Sequence, residues 1–104
     1  MSFRVSPEAN ADVGEALVWL SGKRRYRGVT DLWSEWQTGL TAIEAAPQLY
    51  PLAADAPAGR EVRTYPTRRH GYLIVYEVRG SDVVIVAFAR ARRRSSTWLG
   101  RLAP

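Results

Sequence analysis

Arginine is the residue type in this chain whose clustering could do chemistry. Seven arginines stand on or beside the predicted strands of the C-terminal half: Arg63, Arg68, Arg69, Arg90, Arg92, Arg93 and Arg94. A guanidinium fork binds a phosphate or a carboxylate through two parallel hydrogen bonds, so this cluster suits an anionic partner. If the last strand stays extended, Arg90 and Arg92 leave it on one face. We take this cluster as the candidate site.

The other residue types that carry catalysis offer no competing site. The chain has no cysteine, which excludes disulfides, thiolate metal ligands and a cysteine nucleophile. Its single histidine, His70, stands among arginines in a predicted turn, where a surface position explains it better than a catalytic role. The spacing of the acids suggests neither a paired-carboxylate mechanism nor a metal site, and no phosphate-binding loop or nucleophile elbow is present. The sequence predicts no metal and no cofactor.

Charge divides the chain into two unlike halves. The net charge of +5 arises from residues 1–59, with 5 Lys+Arg against 7 Asp+Glu, and residues 60–104, with 10 against 3. Such a basic field attracts a polyanion, either a nucleic acid or an acidic protein segment, and its sign alone does not distinguish them. A solvated arginine-rich surface without a specific partner is the alternative.

The elements that must position the arginines begin with a strand and a helical hairpin. Residues 3–6 alternate apolar and polar side chains, which favours a short strand. Ser6 is a predicted N-cap before a helix that ends at Ser21-Gly22, with Ala9, Val13, Ala16, Leu17 and Leu20 as its apolar stripe. Residues 22–28 are a predicted basic loop. Thr30 is the predicted cap of a second helix that Pro47 ends.

Tryptophan occurs four times, three times on the predicted helices. Trp19, Trp33 and Trp36 fall on or beside the apolar stripes, so we predict that they belong to the core. Trp98 follows the arginine-rich tail in a polar stretch. It either packs the tail back onto the sheet or stacks on a partner.

The C-terminal half has the pattern of an antiparallel meander. Residues 62–65, 72–78 and 83–89 are rich in β-branched and aromatic side chains, and residues 79–82 form a tight turn between the last two strands. The order is therefore β-α-α-β-β-β with a basic C-terminal tail. This predicts an α+β fold, a helical hairpin packed on an antiparallel sheet that the first strand also joins, as a single domain over residues 1–104.

Apolar runs give no sign of a membrane segment. The longest run, Val83 to Ala89, is far too short to span a bilayer, and the N-terminus lacks the apolar region of a signal peptide. The absence of cysteine also fits a reducing compartment. We therefore expect a soluble cytoplasmic protein without membrane association.

The most specific motifs of the strand half are residues 71–78 (GYLIVYEV), 82–86 (DVVIV) and 90–93 (RARR). They look like the pattern Y-x-I-x-Y-x-V, D-x-V-x-I and H-x-R-R of the RelE/ParE toxin superfamily, and the resemblance extends over nearly the whole chain. It implies the toxin of a type II toxin-antitoxin system, such as a plasmid stabilisation system. It also implies a cognate antitoxin whose C-terminal segment wraps the toxin, forming a hetero-oligomer.

Departures from the family pattern favour one branch. The mRNA-cutting members use basic residues on the first two strands of the meander, an arginine at the end of the last strand and often a tyrosine nearby. Arg92 matches that arginine, but Leu73 and Trp98 stand where an arginine and the tyrosine are expected, and neither can transfer a proton from a ribose hydroxyl. Arg90 replaces the family histidine. The resemblance therefore implies a ParE-like protein, a branch that poisons DNA gyrase.

The arginines have a different role under each hypothesis. A ParE-like inhibitor of DNA gyrase performs no chemistry of its own, and its predicted target-binding residues are Arg90, Arg92, Arg93 and Trp98. The alternative is a ribosome-dependent mRNA endonuclease, whose candidate catalytic residues are Arg63, Arg68 and Arg92. A plain nucleic-acid-binding module and an inactive toxin remain as further alternatives.

Overall fold

A computed structural model describes residues 2–22, 26–92 and 96–102 of the chain. Its elements, in chain order, are β1 (Phe3–Val5), α1 (Pro7–Gly22), α2 (Tyr26–Ala45), β2 (Glu61–Pro66), β3 (Tyr72–Arg79), β4 (Asp82–Arg90) and α3 (Ser96–Leu99). This confirms the predicted β-α-α-β-β-β order and the α+β class. The short helix α3 lies in the predicted basic tail and was not expected.

The four strands form one sheet in the order β1-β4-β3-β2. The meander is antiparallel, as predicted, with a two-residue turn in which Gly80 adopts φ 60°. β1 joins the sheet, also as predicted, but it runs parallel to β4, with Phe3 opposite Val83. A parallel pairing needs a long connection between its strands, which here consists of the helical hairpin followed by β2 and β3. The sheet is therefore mixed, with antiparallel pairings predominating.

The predicted start is confirmed for helix α1 and wrong for helix α2. The cap of α1 is confirmed, because the Ser6 hydroxyl accepts a hydrogen bond from the backbone N–H of Ala9 at 3.1 Å. In contrast, α2 starts at Tyr26, so the prediction that Thr30 caps it is wrong. Packing of Val29 and Leu32 against the core favours this earlier start over the loop that Gly28 suggested. Residues 23–25 of the predicted basic loop lie outside the described residues.

The helical hairpin packs on one face of the sheet and forms the main core. The predicted stripe of α1 is buried at Ala9, Val13, Ala16 and Leu20. On α2, Trp36 is buried as predicted. The prediction that Trp19 and Trp33 belong to the core is wrong, because 47% and 48% of these residues are exposed. Trp33 follows the fully buried Leu32, and one residue along a helix turns a side chain by about 100° away from the buried face.

The opposite face of the sheet is covered as well. Its buried residues form a second apolar cluster, which we name the outer cluster: Val62, Val75, Val86, Ala87 and Trp98. Partly buried residues pack against it from the connection before β2 (Ala53, Ala56), from β3 (Leu73) and from the C-terminal segment (Leu99, Leu102). The sheet is therefore the middle of three layers, which explains the nearly continuous apolar run of β4.

Candidate functional site

Strand pairing brings the β2–β3 turn next to the end of β4. Tyr72 pairs with Arg90, and the backbone N–H of Ala91 donates a 2.7 Å hydrogen bond to the carbonyl of Gly71. These contacts place arginines from the turn and from the strand end at the same end of the sheet. We name this group the arginine end: Arg68, Arg69, Arg90 and Arg92.

The turn that carries Arg68 and Arg69 is held by the hydroxyl of Thr67. This hydroxyl donates to the carbonyl of Arg69 at 2.8 Å and accepts from the N–H of Tyr72 at 3.2 Å. His70 and Gly71 both adopt φ 67°. For a residue other than glycine, the left-handed region costs about 1 kcal/mol. His70 is a turn residue, as predicted, but it is half-buried, and its Nε2 is shielded from solvent without a hydrogen-bond partner among the described residues.

Arg69 ties this turn to helix α2. Its backbone N–H donates to Glu35 Oε1 at 2.8 Å, and its guanidinium lies 3.1 Å from Asp31 Oδ2. The side chains of the ion pair are 71% and 42% exposed, so solvent weakens the attraction between them. The turn is thus anchored chiefly through its backbone. The ion pair between the Arg69 guanidinium and the Asp31 carboxylate is correspondingly weak.

Arg90 is held by aromatic side chains. Its guanidinium carbon lies 4.4 Å from the ring centroid of Trp19 and 5.9 Å from that of Tyr72. Tyr72 in turn stacks on Phe88, with centroids 4.7 Å apart. A cation over an indole face is attracted by the ring quadrupole. The half-exposed position of Trp19 is explained by this contact, because its ring supports Arg90 at the surface.

A crevice of about 310 Å³ lies between α1 and the last residues of β4. β1 pairs with β4 only from Val83 to Ile85, so the following part of this strand edge has no strand partner. Asp12 of α1 takes that place: its carboxylate accepts from the N–H of Phe88 at 3.0 Å and from Arg101 at 2.6 Å. The hydrogen bond from Asp12 raises the pKa of Arg101.

Two of the predicted arginines do not take the positions that the sequence suggested. Arg63 lies on β2 away from the arginine end, and its guanidinium donates to the carbonyl of Tyr50 at 2.6 Å and to Glu61 at 2.7 Å. Arg92 is exposed in a turn, because β4 ends at Arg90. The extended continuation that would align Arg90 and Arg92 on one face is therefore absent. Arg93 lies outside the described residues.

Trp98 packs back onto the sheet, which is one of the two predicted alternatives. Only 7% of it is exposed, and it belongs to the outer cluster with Leu73 against it. The two positions at which the sequence departs from the mRNA-cutting pattern therefore lie in the same apolar cluster. Contact of Trp98 with a target stays a prediction.

Sequence reasoning missed Trp19 and Asp12 as residues that shape this region. Trp19 was assigned to the core although it lies beside the strict stripe of Ala16 and Leu20. An offset from the stripe could have indicated a position at the rim of the helix interface. Asp12 lies on the predicted first helix, and its contact with Phe88 depends on a tertiary pairing that no local pattern encodes.

Two other kinds of site are not supported in the part of the chain that the structure describes. In residues 2–22, 26–92 and 96–102, no group of three histidine or acidic side chains could hold a metal ion. Over the same residues, no helix combines the length and the apolar character that crossing a membrane requires.

The comparisons with known proteins reveal a shared fold. No family model matches the chain, and no curated protein does. Among solved structures, a chain of the chromosomal ParDE TA system from P. aeruginosa superposes with a TM-score of 0.64. The chain has the fold of this ParDE protein. The match covers 88% of this chain and 97% of the ParDE chain at 19% sequence identity, so it concerns the fold alone. It confirms the fold that the sequence resemblance implied.

Proposed function

We propose that this chain, over residues 1–104, is a ParE-like toxin of a type II toxin-antitoxin system. In this proposal it binds and inhibits DNA gyrase and cuts no RNA. The observation that carries the proposal is the ParDE-like fold, in which two of the positions that the resemblance assigns to RNA cleavage, Leu73 and Trp98, are apolar and packed together. In this proposal the toxin acts by binding its target and performs no chemistry of its own.

The outer cluster supports the absence of nuclease chemistry. Cleavage of mRNA through the ribose hydroxyl needs a group that takes its proton and a cation that stabilises the phosphate. Leu73 and Trp98 supply neither: Trp98 is buried in the outer cluster, and Leu73 of β3 packs against that cluster. Arg63, the candidate cation on β2, is engaged by Tyr50 and Glu61.

The arginine end supports a role in binding. It holds two of the predicted target-binding residues, Arg90 and Arg92, at one exposed end of the sheet. Fixed guanidinium groups suit contacts with carboxylates or phosphates of a macromolecular target. In our proposal this end contacts the gyrase complex, and Arg93, which lies outside the described residues, stays a predicted contact.

A cognate antitoxin is the second proposed partner. Large apolar side chains remain exposed on the hairpin and on the connection before β2: Val18, Trp33, Leu49 and Leu52. An antitoxin segment that becomes ordered on binding gains affinity by covering such side chains, and an acidic segment gains further from the basic half of the chain. Both partners act in the cytoplasm, where we place this protein.

Controlled expression in a bacterial host tests the proposal. During growth arrest, both mRNA integrity and plasmid supercoiling are followed. We expect altered supercoiling or DNA breaks with intact mRNA, and relief of the arrest when the cognate antitoxin is co-expressed. Cleaved transcripts with normal supercoiling would instead identify an mRNA endonuclease. Absence of arrest, with soluble protein present, would identify an inactive toxin or a plain binding module.

A further inference from the structure

We propose that the arginine end binds the phosphate backbone of duplex DNA without reading its sequence. This inference goes beyond gyrase inhibition and does not rest on it. It concerns a direct contact between this chain and DNA that can be measured on the purified protein without gyrase or antitoxin.

Two cations of the arginine end are available to a ligand. Arg68 and Arg92 are exposed and make no ion pair with any residue in the described parts of the chain. The carboxylates of Asp31 and Glu35 at this end are engaged by the side chain and the backbone N–H of Arg69. Two guanidinium groups without an ion-pair partner among the described residues therefore lie at this end of the sheet.

The other two cations are placed so that a phosphate can engage them. Trp19 orders the guanidinium of Arg90 from one side, which reduces the entropy that binding must remove. Arg69 is paired with Asp31, but an ion pair this exposed is weak because solvent screens it, so a phosphate can compete for the guanidinium.

The spacing of these groups suits a densely charged polymer. The turn and the strand end are neighbours through the Tyr72–Arg90 pairing, and adjacent strands lie about 4.8 Å apart. Duplex DNA carries one charge for every ~1.7 Å of its axis, so several phosphates lie within reach of the arginine end at once. An isolated phosphate would satisfy only one of its cations.

The composition of the arginine end favours duplex over single-stranded nucleic acid. Binding of unstacked bases relies on free aromatic faces, whereas one face of the Trp19 ring is covered by Arg90.

Residues 67–72 and 88–92 contain no asparagine or glutamine, the side chains that pair with adenine edges. Contacts made by arginines to backbone phosphates position a protein on DNA and carry no sequence information.

Fluorescence anisotropy of a labelled 20-base-pair duplex, titrated with the whole chain at 50 to 200 mM KCl, provides the test. For about three to four phosphate contacts, the logarithm of affinity should fall against the logarithm of salt concentration with a slope near −3. Two duplexes of unrelated sequence should bind within about twofold of each other, as sequence-indifferent contacts require.

Matched single substitutions locate the contact. Arg68→Gln and Arg92→Gln should each reduce the magnitude of the salt slope by about 1. The control is Arg4→Gln, which removes the same charge from an exposed residue of β1. Arg4 lies opposite Val84, six residues before Arg90, or about 20 Å along the strand. Arg4→Gln should leave the salt slope unchanged. Melting temperatures equal to that of the unmodified chain will show that all three variants are folded.

Several outcomes would overturn the inference. A binding constant that does not depend on salt, or an equal loss in all three variants, would mean that no local phosphate site exists. Single-stranded RNA that binds more than about tenfold tighter than the duplex would assign the arginine end to RNA. Competition by polyglutamate as effective as that by DNA, at equal charge, would assign it to an acidic protein segment. Growth arrest by a protein that does not bind DNA would contradict this inference and remain compatible with the proposed toxin function.

Discussion

The two ends of the sheet use charge in opposite ways. At the end that holds the β3–β4 turn, Glu77 is 4% exposed and accepts two hydrogen bonds from Arg60, at 2.6 and 2.8 Å. Asp82 there accepts from both the N–H and the hydroxyl of Ser2. At the arginine end, Arg68 and Arg92 are exposed and form no ion pair among the described residues. Carboxylates are therefore engaged within the fold at one end, and guanidinium groups are available to partners at the other.

The largest expected effect concerns activity at the arginine end. Arg92→Ala should abolish growth arrest by the proposed toxin while leaving the melting temperature unchanged, because Arg92 is exposed and forms no described ion pair. Growth curves during controlled expression, together with thermal melts of the purified variant, measure both effects. Arg4→Ala is the matched control and should remain toxic. Growth arrest by a soluble Arg92→Ala variant would remove this residue from the site.

The next largest effect concerns stability at the opposite end. Glu77→Ala should lower the free energy of unfolding by about 2 kcal/mol, because it removes the charge-assisted hydrogen bonds of a buried carboxylate with Arg60, which is itself partly exposed. Asp31→Ala, which breaks the exposed pair with Arg69, should cost less than about 1 kcal/mol. Urea unfolding of both variants measures the difference. Equal losses would contradict the distinction between the two ends.

A smaller effect is expected in the turn of the arginine end, in the stabilising direction. His70→Gly removes a side chain from a left-handed position and with it a shielded ring nitrogen that has no hydrogen-bond partner among the described residues. We expect a gain of about 0.5–1 kcal/mol, since relief of backbone strain exceeds the entropy that glycine adds to the unfolded chain. Urea unfolding tests this. Gly14→Ala on α1, at a position with open space, provides a separate measure of the entropy that glycine adds.

The smallest expected effect is a pH dependence at Asp82. Hydrogen bonds from Ser2 hold the pKa of the Asp82 carboxyl below its ordinary value of 3.8. A carboxyl whose pKa is lowered in the folded state contributes stability above the ordinary pKa, and this contribution is lost as the pH falls through the folded value. Asp82→Asn should therefore flatten the stability profile below about pH 4 and leave its shape near pH 7 unchanged. Unfolding midpoints of Asp82→Asn and the unmodified chain, measured across this pH range, test this. If both fall equally with decreasing pH, Ser2 does not stabilise the ionised carboxylate of Asp82.

Local sequence signals predicted most of the fold. The Ser6 cap, the apolar stripe of α1 and the alternation in the meander depend on residues close in sequence, and the structure confirms them. The predicted start of α2 was wrong because burial of Leu32 outweighs the loop tendency of Gly28. The parallel direction of β1 could not be predicted, since it depends on how the helical hairpin carries the chain back to the sheet.

The candidate site was less predictable than the fold. Arginine clustering identified Arg68, Arg90 and Arg92 as residues of interest, but their common location depends on the Tyr72–Arg90 register. The sequence could not separate them from Arg63, which is engaged by a backbone carbonyl from a distant segment. Register and loop contacts are long-range properties, so they become visible only in three dimensions.

The contact between Asp12 and Phe88 has a consequence for solubility. A strand edge with free N–H and carbonyl groups is a template on which another chain can add a strand, and this leads to aggregation. β1 shields only the first part of β4, and the Asp12 carboxylate occupies the N–H of Phe88 beyond it. A negatively charged side chain at this point also disfavours the approach of a second backbone. The open strand edge is thereby protected from pairing with further copies of the chain.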